Sequence, residues 1–175
     1  MSRLPFPDLI EASGPEARPA RRPPVNLTRM LLHIPDAVEP YNELTAALME
    51  HGRIEPRLRE LVILRVVSLS GSACERALHV PAARQAGATE AEIASAISGH
   101  AAGLESKLAL AFRFAEECAR DVRVSEATLV EARGRFSPPE IAELTLLVGF
   151  FMMTARFLET LGVDDAPAYD RGGFR

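Results

Sequence analysis

Arg57-Leu-Arg-Glu-Leu-Val-Ile-Leu-Arg-Val-Val-Ser-Leu-Ser-Gly-Ser-Ala-Cys-Glu-Arg-Ala-Leu-His79 is the stretch whose reading decides the fold. Apolar residues at 58, 61, 62, 64, 66, 67 and 69 predict a helix buried on most sides, with Pro56 in its first turn. Gly71 ends it. A following helix over 73–86 is closed by Gly87, which suits a left-handed cap. Ser72, Glu75 and His79 are spaced i, i+3, i+7 and so share one face of that helix or its leading turn. Glu60, on the preceding helix, can face them across a hairpin.

Outward from this hairpin the chain reads as nearly all helix. Asn26 is an N-cap for a short helix, Leu27 to His33, ended by Pro35. From Val38 the pattern Tyr41, Leu44, Leu48 gives an amphipathic helix stopped at Gly52. Thr89 followed by Glu92 is a capping-box signature for a helix reaching about His100. Further helices run from about Leu104 to Asp121 and, capped by Ser125, to about Arg133. Ser137-Pro138-Pro139-Glu140 opens a long helix to Leu161, with Pro at its first position and Glu at its third. Pro56-x3-Glu60-Leu61 recurs as Pro139-x3-Glu143-Leu144, an echo that helix-opening chemistry alone can produce. No segment alternates like a strand.

A chain of 175 residues suits one well-buried domain, and 47% apolar with 25% charged residues is ordinary for a globular protein. The net charge of −4, with mixed signs, offers no basic patch, so nucleic acid is not an expected partner. The longest apolar run, Leu144 to Ala155, is too short to span a bilayer, and the first residues lack a signal-peptide core. Two cysteines without a secretory context lead to the expectation of a reducing, cytoplasmic setting. Residues 1–24 hold six of the thirteen prolines and read as an extended arm. Its Leu4, Phe6, Leu9 and Ile10 are expected to anchor on a neighbouring subunit.

The chemistry follows from the polar set. Glu75 and His79 are i, i+4 neighbours, close enough for a carboxylate to fix the imidazole tautomer and raise its pKa. Two carboxylates and an imidazole in an apolar pocket suit proton transfer at carbon, as in decarboxylation or enolate isomerisation, without metal or organic cofactor. Each residue also has a purely structural reading: Glu60 paired with Arg57, Arg84 or Arg156, and Glu75 on a solvated face beside Arg76. Arg156 can hold a substrate carboxylate or pair with Glu60 or Glu159. Cys74 is about 100° around the helix from Glu75 and Cys118 lies in an apolar stretch, so both read as packing thiols. The other histidines, His33, His51 and His100, show no metal-ligand spacing.

The quoted stretch resembles the carboxymuconolactone decarboxylase and alkylhydroperoxidase D superfamily, whose redox members carry Glu-x11-Cys-x2-Cys-x3-His. Glu60 matches the glutamate and His79 the histidine, while Ser72 and Glu75 stand where the two cysteines would be. Asn26–Pro35, Gly87–Ile93 and Gly149–Gly162 resemble the family's lead-in, its turn after the active-site helix and its closing helix. The resemblance implies an all-α domain of about seven to eight helices over 25–165, a tail at 166–175, and assembly as a homo-oligomer, a trimer or hexamer. It moves Glu60, Glu75 and His79 towards catalysis on a small-molecule substrate, with Ser72, Cys74 and Arg156 as substrate-binding candidates. The favoured function is a cofactor-independent lyase or isomerase on a small carbonyl or lactone carboxylic acid. Two alternatives stay open: a peroxide-reducing enzyme using Cys74, and a non-catalytic oligomeric small-molecule-binding protein.

Overall fold

Caps and prolines place most helix ends. A computed structural model describes residues 2–7 and 26–163. Its elements are α1 (Asn26–Leu31), α2 (Pro35–Glu50), α3 (Pro56–Leu69), α4 (Ala73–Gln85), α5 (Glu90–Ser98), α6 (Ser106–Asp121), α7 (Glu126–Arg133) and α8 (Pro138–Leu161). Among the described residues there are eight helices and no strand, so the fold is all-α. The Thr89–Glu92 and Ser137–Glu140 capping boxes both form. Several ends differ from expectation: α1 includes Asn26 instead of being capped by it and ends at Leu31, short of His33, and α6 starts at Ser106 instead of about Leu104. Pro35 opens α2 instead of merely closing α1, because a proline at the first helical position loses no hydrogen bond and is already set near helical φ. α5 stops at Ser98, short of His100, because Gly99 takes a left-handed φ of 81°.

α3 is the central element and packs against α4, α5, α6 and α8. Leu61 to Leu64, Val66 and Val67 are fully buried in the main core, with Phe112 and Phe114 of α6 and Leu144 and Leu147 of α8. Two of its arginines are tied off by neighbours: Arg57 bonds Glu92, and Arg65 reaches Glu116 at 2.7 Å and the Ala96 carbonyl at 3.3 Å. Glu143 of α8 accepts the amides of Arg53 (2.6 Å) and Ile54 (3.3 Å), which holds the loop that delivers α3.

α8, at 24 residues, is long and apolar enough by length and composition to cross a membrane, which the uninterrupted apolar run alone did not suggest. Its Leu144, Leu147, Phe150, Phe151, Ala155 and Leu158 are buried inside the protein, so its apolar face is used by the protein's own core.

Residues 2–7 form no helix or strand and lie against their own chain. The Arg3 amide donates to the Leu161 carbonyl at 2.7 Å and its guanidinium to the Thr160 carbonyl at 3.1 Å, satisfying orphan carbonyls at the end of α8. Phe6 packs in a small cluster with Met30 and Leu158, beneath the Arg29 guanidinium. Phe6, one of the residues expected to anchor on a neighbour, thus packs against α1 and α8 of its own chain. Leu9, Ile10 and the 166–175 tail lie outside the described residues.

Candidate active site

The α3–α4 hairpin assembles the site. Gly71, at φ 71°, lets the chain reverse, and the Ser72 amide returns to the Val67 carbonyl at 2.9 Å. Ser72 is fully buried as the N-cap of α4, with the Glu75 amide donating to its hydroxyl at 3.5 Å. This cap sets the phase of α4. Glu75 is thereby buried (3% exposed) and His79, one turn later, sits beside it. α4 stays helical through Pro81, two residues beyond.

The hairpin brings Glu60, Glu75 and His79 together. His79 Nδ1 lies 2.8 Å from Glu60 Oε2, and Nε2 lies 3.6 Å from Glu75 Oε2. The closer partner is therefore Glu60 from α3, and the i, i+4 neighbour Glu75 holds the other nitrogen more loosely. The arginines proposed as alternative partners of Glu60 are engaged elsewhere. Arg57 bonds Glu92, Arg84 bonds Glu90 at 2.6 Å, and Arg156 donates to the Met152 carbonyl at 2.9 Å. Phe151 of α8 presents an edge-on contact to the imidazole, with ring centroids 4.9 Å apart.

The electrostatics favour a charged imidazole. Burial by itself would lower the pKa of His79, but the hydrogen bonds to Glu60 and Glu75, and their negative charges, push it up to about 9. At neutral pH the ring is then an imidazolium between two carboxylates. Its Nδ1–H is committed to Glu60. Its Nε2–H is only loosely held, which makes it the proton available for transfer. Among the described residues no three His, Cys, Asp or Glu side chains are arranged to hold a metal ion.

The other sequence candidates are dispersed. Cys74 forms no disulfide and packs in the small cluster with Met30 and Leu158, as its position around α4 dictates. Cys118 is partly buried against the main core, and burial pushes its thiol pKa up. Arg156 is exposed on α8 and turned back along its own helix. The structure does not bring it to His79, so the expected carboxylate clamp is missing from the described site.

Sequence reasoning missed a second polar group. The hydroxyls of Tyr41 (α2) and Thr154 (α8) lie 2.8 Å apart. Burial is the main cause that raises the Tyr41 pKa to about 12, and the charge of Glu75 adds to it. Thr154, 2% exposed within an apolar run, was the available signal, since a buried hydroxyl needs a partner. Tyr41 stacks on Phe150 (centroids 5.0 Å), which meets Phe151 (5.3 Å), so an aromatic series joins Tyr41 to His79.

Known proteins bear on this geometry. The family model described as the carboxymuconolactone decarboxylase family matches residues 35–117, which span Glu60, Glu75 and His79. No curated protein matches the chain. Solved structures do. A peroxidase-related protein of Ralstonia eutropha JMP134, titled an alkylhydroperoxidase AhpD core, superposes with TM-score 0.76 at 17% identity, covering 97% of this chain and 93% of that one. A peroxidase-related protein from Silicibacter sp. TM1040 gives 0.74 at 20% identity, covering 86% and 81%. A protein of unknown function from Agrobacterium tumefaciens gives 0.68 at 18% identity, covering 74% and 90%. At such identities the likeness bears on the fold.

Proposed function

From the premise that this chain belongs to the carboxymuconolactone decarboxylase/AhpD-like superfamily, we propose that it is a cofactor-independent lyase or isomerase. It acts by proton transfer at carbon next to a carbonyl. The observation that carries this reading is the partly buried imidazole between two carboxylates, tight at Nδ1 (2.8 Å) and loose at Nε2 (3.6 Å). His79 is the general acid/base through Nε2. Glu60 is a positioning residue that fixes the ring and favours its charged form, and Glu75 is the second proton-transfer group. When a C–H bond breaks, Glu75 takes the proton; when the C–C bond to a carboxylate breaks, carbon dioxide leaves; in either case the electron pair moves into an enolate, which the Nε2 proton neutralises. The protein works in the cytoplasm as a homo-oligomer on a small-molecule substrate.

The expected carboxylic-acid substrate loses one support, because Arg156 lies elsewhere in this chain. The peroxide-reducing alternative would rest on Cys74, which sits among apolar side chains and apart from Cys118. A substitution series separates the readings. His79→Ala is expected to lower proton-transfer turnover by about 10²–10⁴. Glu75→Gln lowers it less, and Cys74→Ser leaves it nearly unchanged. Peroxide reduction abolished by Cys74→Ser would overturn the proposal, and ligand binding without any turnover would favour a silent binder.

A further inference from the structure

α8 has a second face that its own chain leaves open. Ala142, Leu146, Gly149 and Met153 recur at i, i+4, i+7 and i+11 and are all exposed, so they form one stripe on the side away from the core. No charged residue occurs between Glu143 and Arg156. Leu146 and Met153 each leave 49% of their surface open. Gly149 stands in the middle of the stripe, where glycine weakens a helix relative to alanine. Nothing in its own chain requires it, because a Cβ there would meet no atom within 4 Å. The close approach of another backbone does require it.

The stripe is self-complementary about that glycine. Leu146 projects on one side of it. On the other side Met153 and Phe157 wall a cavity of about 300 Å³ between α1, α2 and α8, and none of the side chains lining it is charged. Leu146 lies three residues before Gly149 and Met153 four after it. A two-fold axis at Gly149, with the helices antiparallel, therefore sets Leu146 of each copy against Met153 and the cavity of the other. The charges agree with that operation. Asp36, next to the cavity-lining Ala37, and Arg53, whose amide bonds Glu143, are both exposed on the α2 flank, at opposite ends of it. The same axis brings them towards each other as opposite charges. The two Arg156 side chains stay about 21 Å apart along the helices, too far to repel appreciably.

We propose that α8 is a self-association seam: two copies of this chain pack their α8 helices antiparallel across Gly149, each inserting Leu146 into the other's cavity. The seam rests on the homo-oligomer reading above and names its contact. An isologous contact of this kind has a two-fold axis, so the assembly holds an even number of chains, and a ring of three is excluded.

The test uses the full chain at micromolar concentration. Light scattering is expected to give the mass of an even number of chains. Gly149→Glu sets two carboxylates against each other at the axis and is expected to halve that mass, with helical circular dichroism unchanged, since the new side chain starts in open space. A second arm replaces the native thiols (Cys74→Ser, Cys118→Ser). Adding Leu146→Cys and Met153→Cys together is expected to give covalent pairs on mild oxidation. Either alone should not, because its two copies lie about 9–12 Å apart along the seam, beyond disulfide reach. A mass of three chains, a mass unchanged in folded Gly149→Glu, or no covalent pairs from the double variant would overturn the seam. An oligomer that fails these tests sinks the seam alone, whereas a wild type with the mass of one chain sinks the homo-oligomer reading as well. Turnover at His79 is read separately from both.

Discussion

Raising the pH through the titration of His79 is the perturbation on which the site's electrostatics can be judged. In an unfolded chain the ring titrates near 6.5; in the folded protein burial opposes the charge, and the bonds to Glu60 and Glu75 outweigh it and lift the value to about 9. At about 1.4 kcal/mol per pH unit, that rise corresponds to at most about 3 kcal/mol of folding stability. Because the folded value lies above the unfolded one, the stabilisation is fully present below pH 6.5 and is lost progressively as pH rises to about 9. The assay is urea unfolding at pH 6 and pH 9.5 on the wild type and His79→Gln, alongside an NMR titration of the ring. The wild type is expected to lose about 2–3 kcal/mol more than the variant over that interval. Glu60→Gln should lower the ring's midpoint more than Glu75→Gln, since 2.8 Å is a hydrogen bond and 3.6 Å is a looser contact. A ring that titrates near 6.5 in the wild type, or equal stability losses in both proteins, would refute the reasoning.

Two further outcomes follow from the packing. Gly52→Ala should lower stability by about 1–3 kcal/mol, visible as a drop in the thermal midpoint, because the added Cβ would fall 2.8 Å from the Leu48 carbonyl and closer still to Glu143 Oε1. An unchanged midpoint would mean that the loop before α3 shifts freely. Leu146 and Met153 on α8 and Leu78 on α4 each expose nearly half their surface, so light scattering at micromolar concentration should show a stable homo-oligomer; the mass of a single chain would contradict that.

What was legible in the sequence was local. The Thr89–Glu92 and Ser137–Glu140 capping boxes, the glycines at 71 and 87 and the prolines opening α3 and α8 act within a turn of where they stand, and those helix ends followed. The Glu75–His79 neighbourhood was equally local. Which carboxylate takes Nδ1 was not, because the rotation of α3 against α4 decides how near Glu60 comes. Arg156 shows the limit from the other side, since its helical position left open whether the guanidinium would reach inward or fold back to Met152. Tyr41 and Thr154 are 113 residues apart, and no pattern within either helix announces the pairing. The resemblance carried Glu60 and His79 as a pair, whereas the Tyr41–Thr154 contact needed the packing of α2 on α8.

The most direct measurement of the central claim is solvent deuterium exchange at carbon. With a neutral ketone in heavy water, wild-type protein should place deuterium at the carbon next to the carbonyl, followed by NMR. His79→Gln should slow that exchange by about 10²–10⁴ while Cys74→Ser leaves it in place. Exchange that proceeds equally well without His79, or that disappears with Cys74, would contradict the account.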